Sequence, residues 1–128
     1  MRLLLDTNVF IWLMTDPARV RRQSDALEDP ANELIVSAVC AWEIAIKYAL
    51  GRLPLPEPAA TYVPGSVRYI GATSLPVSHD HALGVASLPP LHRDPFDRLL
   101  VAQAFQLDAV LVTADAVLAG YPAETLLV

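Results

Sequence analysis

Met1-Arg2-Leu3-Leu4-Leu5-Asp6-Thr7-Asn8 is the stretch that decides how the rest of the chain is read. Past its arginine, the run from Arg2 to Leu5 is all leucine and too short for a buried helix. It predicts a strand covered on both faces, the central strand of a parallel sheet. Asp6 then stands at the carboxyl end of that strand, the edge where open α/β sheets bind ligands. A helix predicted over Val9 to Met14 aims its amino end at the same place. Taken alone, Asp6 serves equally well as the cap of that helix.

Working outward, Asp16-Pro17 signals a helix start, and a solvent-facing helix is predicted over Ala18 to Glu28. Leu34 to Val36 reads as a second buried strand. Ser37 caps a helix from Ala38 to Leu50, closed by Gly51. Val39, Trp42, Ile46 and Leu50 fall at helical spacing and are its predicted buried stripe. Glu43 lies at the edge of that stripe with Lys47 four residues on, an order that also suits a plain surface ion pair. Leu53 to Pro58 is proline-rich and extended. Pro64-Gly65 is expected to split Ala59 to Ile70 into two short pieces. A short strand over Thr73 to Leu75 follows, and Ser78 caps a helix from His79 to about Ser87. His79 and His81 point in different directions on such a helix and make a poor metal pair. After the loop Leu88 to Asp94, Asp94 reads as an N-cap with Pro95 at the first helical position of a helix that runs to about Leu107. Strands over Ala109 to Thr113 and Thr125 to Val128 complete the set. Alternating strands and helices predict an α/β fold, a mostly parallel central sheet flanked by helices on both faces, as one domain over residues 1–128.

Composition narrows the function. Hydrophobic residues are 54% of the 128 and charged residues 18%, so the chain is compact and not disordered. No apolar run spans a bilayer, and Asp6 spoils a signal-peptide reading of Met1 to Met14. A cytoplasmic location is expected, with no membrane association. The one cysteine, Cys40, excludes an internal disulfide and a cysteine-cage zinc site, and reads as core. The net charge of −5 argues against a non-specific nucleic-acid binder. It is compatible with an acidic metal pocket on an otherwise nearly neutral surface.

Asp6 and Asp115 each follow a buried strand, so a parallel sheet puts both at one edge. Glu43 is in the first turns of a helix that leaves the same edge. Asp97, in the first turn of a helix preceding a strand, is placed there less securely by topology. Four carboxylates held together as bare anions repel strongly. A hard divalent cation, Mg2+ or Mn2+, removes the conflict and favours phosphoryl-transfer chemistry. No nucleophile triad, P-loop or dinucleotide glycine motif competes.

LLLDTN at Leu3–Asn8, AWEIAIKYALGRL at Ala41–Leu53, HRDPFDRLLVAQA at His92–Ala104 and VTAD at Val112–Asp115 resemble the PIN domain. The likeness is nearest to the VapC-type toxins of bacterial toxin–antitoxin pairs and covers nearly the whole chain in order. It implies a PIN-like three-layer fold and a Mg2+-dependent endoribonuclease. It also implies a homodimer, inhibited by a small antitoxin that blocks the active groove. By motif position Asp6, Glu43, Asp97 and Asp115 match the catalytic acids, with Asp6 and Asp97 as metal ligands. Thr7, Asn8 and Thr113 match supporting polar positions. The implied reaction is in-line attack of activated water on an RNA phosphodiester, leaving a 5′-phosphate and a 3′-hydroxyl. Arg93 and Arg98 flank the pocket as candidate RNA phosphate contacts, with a solvated face as the alternative. Trp12, Trp42 and Phe96 read as core rather than as base-stacking platforms. Two other readings stay open on residues alone: a receiver-like phosphoacceptor, which lacks a second acid beside Asp6 and a strand-end lysine, and a non-catalytic PIN-like binding module.

Overall fold

The computed structural model describes residues 1–128. Strand β1 (Arg2–Leu5) is followed by α1 (Thr7–Thr15), a 3-10 stretch at Pro17–Gln23 and α2 (Ser24–Glu28). Then come β2 (Glu33–Ser37), α3 (Ala38–Ala49), α4 (Ala59–Tyr69), β3 (Thr73–Leu75) and α5 (His79–Gly84). The chain closes with α6 (Pro95–Leu107), β4 (Val110–Thr113), a 3-10 turn at Ala116–Gly120 and β5 (Thr125–Leu127). The sheet order is β3-β2-β1-β4-β5 and every pairing is parallel. Leu3 lies opposite Leu34 on one side and Val110 on the other, which makes β1 the central strand. Leu3, Leu4 and Leu5 are all fully buried, as a strand covered on both faces requires.

Local chemistry starts the main helices where the sequence predicts. The Ser37 hydroxyl accepts the Val39 N–H at 3.1 Å and opens α3. Asp94 Oδ1 accepts the N–H groups of Phe96 at 2.8 Å and Asp97 at 3.3 Å, with Pro95 as the first helical residue of α6. Gly51 follows α3 at φ +70, the left-handed conformation in which glycine lacks a Cβ penalty. At the end of α6 that conformation falls to Asp108, φ +53, whose N–H bonds the carbonyls of Ala104 and Phe105. Cys40 is buried in the core, as predicted, and burial pushes its thiol up to about 12.

Three expectations need correction. Ala59–Tyr69 is one helix, with Pro64 inside it. Tyr62, Val63, Ser66 and Val67 are buried at helical spacing and hold it together, offsetting the roughly 3 kcal/mol that an interior proline costs. Pro64 itself is exposed, so water can reach the backbone it disturbs. The buried face of α3 is Val39, Cys40, Glu43 and Ile44, while Trp42 is 59% and Leu50 61% exposed. Trp42 packs edge-on against Phe96 at 5.0 Å instead of entering the core. Finally, the segment after Asp16-Pro17 is not one helix but the 3-10 stretch and α2 in succession. No helix is long and apolar enough to cross a membrane.

Candidate metal-binding active site

Strand order reverses direction at β1: β2 and β3 extend one way, β4 and β5 the other. The crevice at such a switch point lies at the carboxyl ends of the two central strands, here β1 and β4. Asp6 follows β1 directly, and Thr113 ends β4 with Asp115 two residues on. The first turns of α1 and α6 and the second turn of α3 supply Thr7, Asp97 and Glu43.

Asp6 is buried and uses both oxygens. Oδ1 accepts the Val9 N–H at 3.0 Å and caps α1; Oδ2 accepts the Thr113 hydroxyl at 2.5 Å across the β1–β4 seam. The cap and the site are therefore one residue. Glu43 points inward from α3. Its Oε1 accepts the Thr7 hydroxyl at 2.6 Å and its Oε2 accepts Lys47 Nζ at 2.6 Å. The Glu43–Lys47 pair predicted from spacing exists, but the Glu43 side chain is only 9% exposed against 44% for Lys47. Lys47 therefore reaches in from the surface to a buried acid. Asp115 caps the 3-10 turn through Oδ1, which accepts the Val117 N–H at 3.0 Å, and its own N–H donates to the Thr113 hydroxyl. Asp97, the third residue of α6, accepts no hydrogen bond; its nearest polar partner is His92 Nε2 at 3.5 Å. Because α6 feeds β4 at the far edge of the sheet, it must begin at the carboxyl edge, and that brings Asp97 to Asp6.

The electrostatics follow from this bonding. Burial raises the Asp6 carboxyl above its ordinary range; the Thr113 and Val9 hydrogen bonds oppose that and the Glu43 charge adds to it. Asp97 is pushed up to about 7, first by burial, then by Asp94 and Asp6, with His92 pulling the other way and Glu43 adding to the rise. Asp6 and Asp97 thus each feel another acid of the set. An acid without a donor, close to other acids, is the position a cation stabilises most. The donors that converge are hard oxygens, which fit Mg2+ or Mn2+. His92, Asp97 and Asp115 each have a candidate ligand atom, all within 4.8 Å of one another. The largest cavity, about 420 Å3, is lined by Leu13, Val20, Leu27 and Tyr69 among others and shares no residue with this acidic cluster.

Thr7 and Thr113 each donate to a carboxylate of the set; Asn8 is exposed beside them, with no side-chain hydrogen bond. Arg93 is exposed and makes no ion pair. Arg98, expected to face a phosphate, turns inward instead. Its Nη1 donates to Pro89 O, His92 O and Tyr121 Oη, and its Nη2 to Val85 O, so carbonyls of the segment before α6 and the tyrosine hydroxyl take up its donors. His79 is exposed, and the His81 ring accepts the Ser78 N–H, so neither histidine joins the acids. The residue that sequence reasoning passed over is His92, whose Nε2 lies 2.9 Å from Asp115 Oδ2. Its signal was its position in the HRDPFD stretch, two residues ahead of the α6 cap.

Comparison with known proteins bears on the family and the fold. The PIN domain profile matches residues 3–123. Ribonuclease VapC16 of Mycobacterium tuberculosis is 51% identical over 55 residues, which are 43% of this chain and 39% of that protein. Ribonuclease VapC22 of the same organism is 29% identical over 112 residues, 88% of this chain and 85% of that protein. The crystal structure of VapBC2 from Rickettsia felis, bound to a DNA fragment from their promoter, has a TM-score of 0.75 at 16% identity. The alignment covers 98% of each chain, and at that identity the likeness concerns the fold. The match spans almost the whole chain, including Asp6, Glu43, Asp97 and Asp115, and the chain belongs to the PIN-domain family.

Proposed function

We propose that this protein is a divalent-metal-dependent endoribonuclease and the toxin of a toxin–antitoxin pair, working as a single domain in the cytoplasm. The observation that carries the reading is the meeting of four acids from separate elements, one of which, Asp97, has no hydrogen-bond donor of its own. Asp6 and Asp97 are the metal ligands in this reading. Glu43 and Asp115 complete the acidic set, and Thr7 and Thr113 hold carboxylates in place. A hard cation held there supplies Lewis-acid activation of water and stabilises charge on the leaving oxygen. The chain's own residues orient the cation and exclude alternative side-chain geometries. Arg93, exposed and unpaired, is available in this reading to contact an RNA phosphate.

The names of the relatives, ribonucleases VapC16 and VapC22, support the activity. The VapBC complex that shares this fold supports an antitoxin as partner. Exposed Trp42, Tyr69, Leu83 and Phe105 leave apolar surface for that partner and for a second copy of the chain. A receiver-like phosphoacceptor fits poorly: Asp6 is followed by Thr7, and the lone lysine is paired to Glu43 on α3. The test is purified protein with total RNA, in Mg2+ and in EDTA. Cleavage in Mg2+ that EDTA abolishes is expected. Undiminished cleavage in EDTA overturns the metal mechanism, and RNA binding without cleavage points to the binding-module alternative.

A further inference from the structure

His92 has no part in the proposed chemistry, yet it is among the most constrained side chains near the site. Its backbone N–H donates to Tyr121 Oη at 2.8 Å, and its carbonyl accepts Arg98 Nη1 at 3.4 Å. Arg98 Nη1 also donates to Tyr121 Oη at 3.1 Å, so arginine and tyrosine clasp the His92 backbone between them. The ring is 22% exposed, with Nε2 2.9 Å from Asp115 Oδ2 and 3.5 Å from Asp97 Oδ2. On distance alone, His92, Asp97 and Asp115 are a three-ligand metal set.

The other ring nitrogen argues for a different role. His92 Nδ1 is 3.0 Å from the Asp94 backbone N–H. A backbone N–H only donates, so Nδ1 must present its lone pair. A neutral imidazole has one N–H, which then sits on Nε2. A nitrogen that carries a proton donates a hydrogen bond and does not ligate a cation. We propose that His92 is a positioning residue for the carboxylate centre: the Asp94 N–H holds it in the Nε2–H tautomer, and it donates to Asp115 instead of binding the metal. The inference rests on reading the site as a metal centre. With Val117 N–H on Oδ1 and His92 on Oδ2, both oxygens of Asp115 are fixed, and each keeps a lone pair for a cation. Asp94 links the two devices. Its side chain caps α6, which places Asp97, while its N–H sets the His92 ring, which places Asp115.

The tautomer is read directly from long-range 1H–15N spectra of 15N-histidine protein at pH 8 in EDTA, with the His92 signals assigned by their loss in His92→Gln. A protonated Nε2 and a bare Nδ1 are expected; the opposite pattern overturns the proposal. Pulsed EPR of the Mn2+-loaded protein then asks whether a nitrogen touches the metal. No nitrogen coupling that disappears in His92→Gln is expected, and one that does makes His92 a ligand. Calorimetric titration with Mn2+ completes the test. His92→Leu should weaken binding by about 10–100-fold, the usual cost of losing a side chain that orients the carboxylates around a metal. His92→Gln, which keeps an N–H donor, should recover most of it. His92→Leu should also lower kcat for RNA with KM unchanged. Equal Mn2+ affinity in wild type and His92→Leu, or equal losses in both variants, overturns the positioning role. If His92→Leu does not fold, the tautomer and EPR results still decide. Failure of the metal-centre reading looks different: no Mn2+ binds to wild type, or cleavage persists in EDTA, whatever the tautomer.

Discussion

Two helix starts at this site solve the same problem in opposite ways. At α1, Asp6 caps the helix with one oxygen and presents the other to the crevice. At α6, the work is divided: Asp94 caps, and Asp97, one turn in, is the acid of the site. The difference comes from what precedes each helix. β1 passes straight into α1, so the residue at the turn is already at the crevice. α6 follows a loop, so its cap lies off to the side and only the third helical residue faces the other acids. The merged residue receives two hydrogen bonds, from Val9 N–H and Thr113, whereas the dedicated one receives none. A merged residue trades some of its charge into folding; a dedicated one leaves its repulsion uncompensated until a cation arrives.

The largest effect should come at the merged position, and it should separate the two jobs. Asp6→Asn keeps an oxygen able to cap but loses the ligand charge. Cleavage should fall by more than the roughly 10–100-fold typical of an outer-shell partner, with a near-wild-type melt. Asp6→Ala should lose the same activity and, in addition, about 1 kcal/mol of stability through the missing cap. Equal melting temperatures for the two variants in EDTA mean that Oδ1 is not a working cap.

The dedicated position should behave in the opposite sense for stability. Asp97→Asn should also abolish cleavage, yet make the metal-free protein more stable at high pH. The folded-state carboxyl is raised to about 7 from its ordinary 3.8. Between those values the native state holds more protons than the unfolded one, so wild-type stability falls as pH rises through about 4 to 7 and then levels off. Asparagine has no proton to lose. The melting-temperature gain of Asp97→Asn over wild type in EDTA should therefore be small at pH 4 and full at pH 8. Added Mg2+ should shrink the gain at pH 8, because it stabilises wild type alone. A gain that is flat with pH breaks the assignment of Asp97 as the uncompensated acid.

These positions also mark how far the sequence could be read. Asp6, Ser37 and Asp94 were legible because a cap is local: residue type and the next three positions decide it. The central strand was legible because an all-leucine run buried on both faces leaves little choice. The face of α3 was not, because counting apolar spacing puts Trp42 inside. The helix instead turns Glu43 toward the Thr7 hydroxyl and leaves Trp42 to meet Phe96 at the surface. That choice is made by a partner 36 residues away and has no local signature. The continuity of α4 through Pro64 has the same origin, since tertiary burial of Tyr62, Val63 and Val67 outweighs a local breaker. Arg98 and His92 complete the pattern. From sequence, an arginine near acids reads as a phosphate contact, and only the three-dimensional loop shows carbonyls taking up its donors.

The smallest effects should come at Asp94, and they sharpen the comparison most because Asp94 is one turn from Asp97 and easily confused with it. If the labour at α6 is truly divided, removing the cap must cost stability and little else. Asp94→Ala leaves the Phe96 and Asp97 N–H groups without their acceptor, at a cost of about 1 kcal/mol. Asp94→Asn can still accept those bonds and should melt close to wild type. It also removes a negative charge that, after burial, is the largest contributor to the raised Asp97 carboxyl. The stability gain of Asp97→Asn at pH 8 should accordingly be smaller when measured in an Asp94→Asn background. The Asp94 backbone N–H survives both substitutions, so the contact to His92 Nδ1 is kept and cleavage should remain within a few-fold of wild type in Asp94→Asn. Melts in EDTA and Mg2+-dependent cleavage on the single and double variants give the answer. An inactive Asp94→Asn beside an active Asp97→Asn reverses the assignment, making the residue that caps α6 the one that also serves the site, as Asp6 does at α1.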